Sequence, residues 1–145
     1  MRVLALDLGT RRVGVAVSDP SGTLASPHSV IDRTSHDPDA YRTAVAALVT
    51  DLGVGRVVVG LPLSLSGATG PAAQAALAEA DALADLLPVP VETYDERLTT
   101  VTADRALRQR GLRSRARRAV IDSAAAAVLL QAWLDRRSPH EKADT

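Results

Sequence analysis

Three carboxylates are placed by the surrounding apolar pattern where they could do chemistry: Asp7, Glu96 and Asp122. Asp7 closes the run Val3-Leu4-Ala5-Leu6, a short continuous apolar stretch of the kind that forms a strand buried on both faces, and Leu8-Gly9-Thr10-Arg11-Arg12 follows it. Its carboxylate therefore marks a strand end at a crevice, where open α/β sheets carry their chemistry. Val89-Pro90-Val91-Glu92-Thr93-Tyr94 reads as a further strand, and Asp95-Glu96 follows at its end. Asp122 falls in a helical pattern whose positions 122, 126, 129 and 133 share one face, the others being Ala126, Leu129 and Trp133. An acid leading an apolar face has to be paired, hydrogen-bonded or metal-bound once buried. Capping a helix N-terminus is the alternative role, and Arg118 to Ile121 already read as helix before it. Together the three acids would make a hard, oxygen-only site, which selects Mg²⁺ or Mn²⁺. Two such ions about 3.5–4 Å apart can activate a water and stabilise the leaving oxygen of an in-line phosphoryl displacement.

The charges point to the same class of substrate. Formal net charge is zero, yet residues 1–96 hold six Arg against twelve acids, while residues 97–118 hold eight Arg against Asp104 alone. Arg97, Arg108, Arg110, Arg113, Arg115, Arg117 and Arg118 belong to that second segment. Guanidinium groups grip phosphate bidentately, so an arginine-rich segment beside an acidic body favours a polyanionic partner over a merely solvated helix face. Arg11 and Arg12 could add phosphate contacts beside Asp7. The stretch from Leu61 to Gly70, which includes Ser64, Ser66 and Gly67, is a long loop at a strand's carboxyl end that could cradle a phosphate or simply connect. His28 and His36 read as loop histidines and His140 as part of the tail.

The elements that must position these groups follow from periodicity. After the first strand, Val13 to Asp19 alternates and returns beside it as a hairpin. Thr23 to Ser26 and Ser29 to Ile31 form an edge strand interrupted by Pro27, which cannot donate a ladder hydrogen bond. A helix from about Asp37-Pro38 to Leu52 shows Tyr41, Val45, Leu48 and Leu52 at helical spacing, with Gly53 as its stop. Arg56 to Gly60 reads as a buried parallel strand, and a second helix begins at Pro71 and runs to Leu87. A helix from about Thr100 to Arg110 ends at Gly111, and a last one runs from a Ser114 cap to Asp135. At 145 residues the length suits one domain, 1–137, with a polar tail over 138–145. Hydrophobic residues reach 46% but aromatics only 2% and Phe none, so the core must be Val, Leu, Ile and Ala. With no Cys, disulfides and thiolate chemistry are excluded, and no apolar run reaches transmembrane length, so a cytoplasmic protein without membrane contact is expected.

The stretches Leu6-Asp7-Leu8-Gly9-Thr10, Arg12 to Asp19, Val58 to Leu63, Asp95 to Thr100 and Ile121 to Ala125 occur in an order and spacing that resemble the YqgF/RuvX family. That family is related in fold to the RuvC resolvases. The resemblance implies an α/β, RNase H-like mixed five-stranded sheet with helices on both faces. It implies Asp7, Glu96 and Asp122 as catalytic metal ligands for Mg²⁺ or Mn²⁺, and cleavage of nucleic acid at the 5′ end of pre-16S rRNA. Branched DNA is the alternative substrate, as in junction resolvases, and either a monomer or a homodimer is compatible. Where the family often has Asn-Met-Asp-Gly, this chain has Ser64-Leu65-Ser66-Gly67, so Ser66 cannot supply that acid's charge. Asp7 to Thr10 also looks like the first phosphate motif of actin-like ATPases and sugar kinases, but the chain carries no second copy. A non-catalytic nucleic-acid-binding factor in transcription would keep the arginines and have no use for three acids.

Overall fold

The computed structural model describes residues 1–64, 66–99 and 115–137, with side chains from 120 onward in the last segment. Five strands form one mixed sheet in the order β3-β2-β1-β4-β5. They are β1 (Arg2–Leu8), β2 (Arg12–Ser18), β3 (Ala25–Asp32), β4 (Val54–Leu61) and β5 (Val91–Asp95). β1 pairs antiparallel with β2 and parallel with β4, β4 is parallel to β5, and β2 is antiparallel to β3. Among the described residues the helices are α1 (Asp39–Leu52), α2 (Pro71–Leu86) and α3 (Arg115–Arg136), and Glu96–Leu98 form a 3₁₀ turn directly after β5.

Strand alternation splits the apolar residues into two cores. Leu4, Leu6, Val13, Val15, Val57 and Val59 face α1 and α2, meeting Tyr41, Val45, Val49 and Leu83. Val3, Ala5, Ala16 and Val58 face α3, meeting Ala125, Ala126, Leu129, Leu130 and Leu134. The α3 side is built from smaller sheet residues, which lets that helix lie close. Leu129, Leu130 and Leu134 are fully buried there, and each contributes on the order of 2 kcal/mol to holding the helix down. Gln131 adds a polar clamp at the far edge, accepting from Ala25 N at 2.9 Å and donating to Thr23 O at 3.0 Å.

The expected fold class is present: a mixed five-stranded sheet covered on both faces. Three details differ from the sequence reading. Pro27 does not interrupt the edge strand; it lies opposite Ala16 inside a continuous β3, and the register shifts between Val15 and Ala16. An edge strand bonds on one side only, so a residue without an N–H is absorbed as an irregularity. The buried face of α1 is Tyr41, Val45 and Val49, with Leu48 and Leu52 only packed around its margin, and the helix ends as expected at Gly53 in the left-handed region (φ 64°). β5 starts two residues later than the apolar run and delivers Glu96 in the 3₁₀ turn. The expected helix from Thr100 to Arg110, its Gly111 stop, the Ser114 cap and the tail 138–145 lie outside the described residues.

Candidate active site

The site is organised along one transverse row of the sheet. Asp7 pairs with Gly14 across β1 and β2. The parallel register that sets Leu6 beside Val59 brings Asp7 level with Gly60 on β4. Val3 and Ala5 face α3, and by alternation Asp7 does too. Its neighbours on either side are therefore glycines, and both vacant Cβ positions are filled by the other two acids. A Cβ on Gly14 would stand 2.3 Å from the Asp122 carbonyl oxygen, and one on Gly60 would stand 2.6 Å from Glu96 Oε1. Asp122 is carried there by α3 and Glu96 by the turn after β5. All three carboxylates are buried, at 5%, 8% and 8% exposure for Asp7, Glu96 and Asp122. Asp122 is thus not a helix cap; it sits two turns into α3, held by the leucines behind it.

Burial first, then the charge of Asp95, pushes the Glu96 carboxyl above its usual range. Its neighbour is shifted the other way: hydrogen bonds from Arg97, whose Nη2 donates to Asp95 Oδ2 at 2.6 Å, hold Asp95 low. The two adjacent acids are thereby shifted in opposite directions, Asp95 down and Glu96 up. Arg12 Nε donates to Asp122 Oδ2 at 2.6 Å, with the two side chains 24% and 11% exposed. As the side chains lie, no three acidic or histidine groups among the described residues stand together closely enough to enclose an ion. The donor chemistry nevertheless fits Mg²⁺ or Mn²⁺: three buried carboxylates, no nitrogen or sulfur donor, and one of them already bound to a cationic side chain.

The turn that follows Asp7 is held by bonds at Gly9. Gly9 N donates to Arg12 O at 2.8 Å, and Arg33 Nη1 donates to Gly9 O at 2.6 Å. The Arg33 guanidinium lies 4.7 Å from the Tyr41 ring centroid, and Arg42 Nη2 bonds Glu79 Oε1 at 2.9 Å. Tyr41 also donates its hydroxyl to Glu79. Burial alone would raise the Glu79 carboxyl, but the hydrogen bonds from Arg42 and Tyr41 outweigh it and hold the group low.

Of the residues expected to meet substrate, Arg11 is exposed beside the turn and Arg12 is engaged with Asp122. The loop after β4 is folded on itself: Gly67 N donates to Ser64 O at 2.8 Å, Ala68 N to Ser64 Oγ at 3.0 Å, and the Ser64 and Ser66 hydroxyls meet at 3.0 Å. Gly67 has φ 86°, and its missing Cβ would lie 3.1 Å from Arg97 Nη1, so this loop and Arg97 meet next to Glu96. Arg115, Arg117 and Arg118 belong to the first turns of α3, which leads into Asp122. Arg108, Arg110 and Arg113 lie outside the described residues. Sequence reasoning missed Gly14 and Gly60; the available clue was a glycine inside each of two strand patterns, which marks a close approach. It also missed Arg12 as the partner of Asp122, a pairing across 110 residues that no local pattern shows.

The family model for RuvX, described as Holliday junction resolvase, matches residues 1–136. A protein of Mycobacterium sp. strain KMS, described as a candidate pre-16S rRNA nuclease, is 50% identical over 137 residues, covering 94% of this chain and 80% of its own. A protein of Chloroflexus aurantiacus strain J-10-fl with the same description is 45% identical over 135 residues, covering 93% and 87%. Among solved structures, Thermus thermophilus RuvC in complex with a Holliday junction substrate superposes with a TM-score of 0.56 at 18% identity, over 92% of this chain and 93% of that one. That similarity shows the RNase H-like fold.

Proposed function

This chain belongs to the RuvX family, and on that premise we propose that it is a divalent-metal-dependent nuclease that hydrolyses phosphodiester bonds, acting in the cytoplasm on the 5′ end of pre-16S rRNA. The observation that carries the reading is the row Gly14-Asp7-Gly60, whose two glycine gaps admit Asp122 and Glu96 beside Asp7. Asp7, Glu96 and Asp122 would hold Mg²⁺ or Mn²⁺. When bound, such an ion lowers the pKa of a coordinated water and offsets charge on the attacking and leaving oxygens.

The chain's own groups do the rest. Arg12 neutralises Asp122 in the metal-free protein, and on release its guanidinium is beside the acids to meet a phosphate oxygen. Arg97 keeps Asp95 ionised and locks the turn that presents Glu96, since Asp95 Oδ1 also accepts from Arg97 N at 2.9 Å. Arg33 fixes the carbonyl of Gly9 and so the path of the chain after Asp7. Arg11 and the arginines at the start of α3 supply positive charge along the approach, a contribution that positions backbone and carries little base information. No helix among the described residues is long and apolar enough to cross a membrane.

The test is cleavage of matched pre-16S rRNA and four-way junction substrates in Mg²⁺, with Asp7→Asn as control. The expected result is cut pre-rRNA, intact junctions and an inactive variant. Symmetric paired nicks in the junction would make the chain a resolvase, and equal cleavage by Asp7→Asn, or full activity in EDTA, would reject the metal-dependent site.

A further inference from the structure

A second concavity opens beyond the acids, between the C-terminal half of α3 and the edge strand β5. Its volume is about 380 Å³, within the range of roughly 300–1,000 Å³ that takes small molecules, and its walls include Arg56, Glu92, Tyr94, Trp133, Arg136 and Arg137. It continues the catalytic row. Tyr94 pairs with Gly60 across β4 and β5, so it stands in the line Gly14-Asp7-Gly60-Tyr94, two residues before Glu96. On the helix side, Asp122 and Trp133 share one face, eleven residues and so about 16 Å apart. The concavity thus lies on the same α3-covered face of the sheet as the acids, about three turns of α3 away from Asp122.

The wall is built for an anion next to a flat group. Three guanidinium groups face one carboxylate, and that carboxylate, Glu92, is matched by Arg56 at 3.4 Å. Arg136 is exposed and makes no ion pair among the described residues, and its charge bears on Tyr94. The Tyr94 hydroxyl is buried with no hydrogen-bond partner among the described residues. Arg137 lies 5.1 Å from the Trp133 ring centroid, making a planar cationic plate of the kind on which nucleobases stack.

We infer that this concavity is a nucleotide subsite: the exposed Arg136, beside Tyr94, takes a backbone phosphate, and the Trp133–Arg137 pair takes the adjoining base, of the strand whose scissile bond lies at the acids. The phosphate–base recognition stands on the pocket alone; its assignment to the cleaved strand rests on the nuclease reading.

Trp133 is the only tryptophan in the chain, so its emission reports this site. In EDTA, the wild-type protein is titrated with a short single-stranded RNA, with a nucleoside monophosphate and with inorganic phosphate, while anisotropy of labelled RNA follows binding anywhere on the surface. RNA should change Trp133 emission at the concentration where anisotropy rises, and the two small ligands should act only at far higher concentration. Arg136→Gln should weaken RNA binding about tenfold and lower the salt slope by about one. Tyr94→Phe, which keeps the ring packing, should weaken it by a smaller factor and guards against a disturbed helix end in the arginine variant. RNA binding with silent Trp133 emission and unchanged affinity in both variants would overturn the subsite and leave the nuclease reading intact. A nucleoside monophosphate bound as tightly as RNA would overturn the assignment to a strand. Loss of affinity in the variants of a protein that cleaves neither pre-rRNA nor junctions would support the subsite and sink the nuclease reading.

Discussion

At the scale of single residues, the pairing of Arg12 with Asp122 decides how the metal-free site tolerates three buried acids. Asp122 is a mostly buried carboxylate, and the Arg12 guanidinium at 2.6 Å offsets the cost of burying its charge. Arg12→Gln should therefore destabilise the protein in EDTA by about 1–3 kcal/mol, since it removes the 2.6 Å ion pair of a mostly buried carboxylate. Added Mn²⁺ should then raise the melting temperature of the variant more than that of the wild type. Equal shifts in calorimetry would mean that Arg12 and the ion do not share Asp122. Asp122→Asn tests the same carboxylate from the other side. Outer-shell partners of metal sites are worth about 10–100-fold, so removing a direct ligand should reduce cleavage by at least about 100-fold, with RNA affinity in EDTA unchanged. A large drop in melting temperature with activity retained would assign Asp122 a structural role.

At the scale of elements, two glycines set how close α3 and the turn after β5 come to the sheet. Gly60→Ala would put a methyl 2.6 Å from Glu96 Oε1 and 3.0 Å from Leu129 Cδ2, an overpacking cost of about 1–3 kcal/mol. Gly14→Ala meets backbone at 2.3 Å, which cannot turn aside, so its loss of stability should be the larger of the two, as urea unfolding would show. Both should lower activity with every acid still present. The α1–α2 brace behind Asp7 has its own signature in pH. Burial first, then the hydrogen bond to Glu79, lifts the Tyr41 phenol to about 12 from 10.0. The folded state thus holds a proton that the unfolded chain releases near pH 10. The corresponding stability is complete below about pH 10 and is lost as pH rises from about 10 to 12, amounting to at most about 3 kcal/mol. Tyr41→Phe should flatten this alkaline limb in melts across that range; an unchanged limb would show that Tyr41 does not set it.

At the scale of the whole molecule, zero net charge is divided between an acidic body and the arginine-rich segment 97–118. On the proposed reading, that segment would draw a polyanion toward the acids, which would repel it unaided. Replacing Arg115, Arg117 and Arg118 together by Gln should weaken RNA binding at low salt and reduce the slope of log K against log salt by about one for each phosphate no longer neutralised, while turnover at saturating RNA survives. Unchanged affinity and slope would leave these arginines as a solvated helix face, with the strand approaching instead over Arg11 and the loop from Ser64 to Gly67.

The sequence by itself singled out Asp7, Glu96 and Asp122 as candidate acids and determined the order of the five strands and of the three helices among the described residues. Those are local properties: an apolar run ending in Asp7, a further strand followed by Asp95-Glu96, and an acid at helical spacing with Ala126 and Leu129. It also contained the resemblance to the RuvX family. What only the tertiary structure decided is which atoms meet. The register of β1 against β2 and β4 places Gly14 and Gly60 on either side of Asp7, and a one-residue slip would have turned that row to the opposite face. The choice of Arg12 as the partner of Asp122, the Arg33–Tyr41–Glu79 brace and the alignment of Tyr94 with the row Gly14-Asp7-Gly60 all join residues far apart in the chain. Such contacts arise from strand register and helix docking, so periodicity, which records only which face a residue takes, could not reveal them.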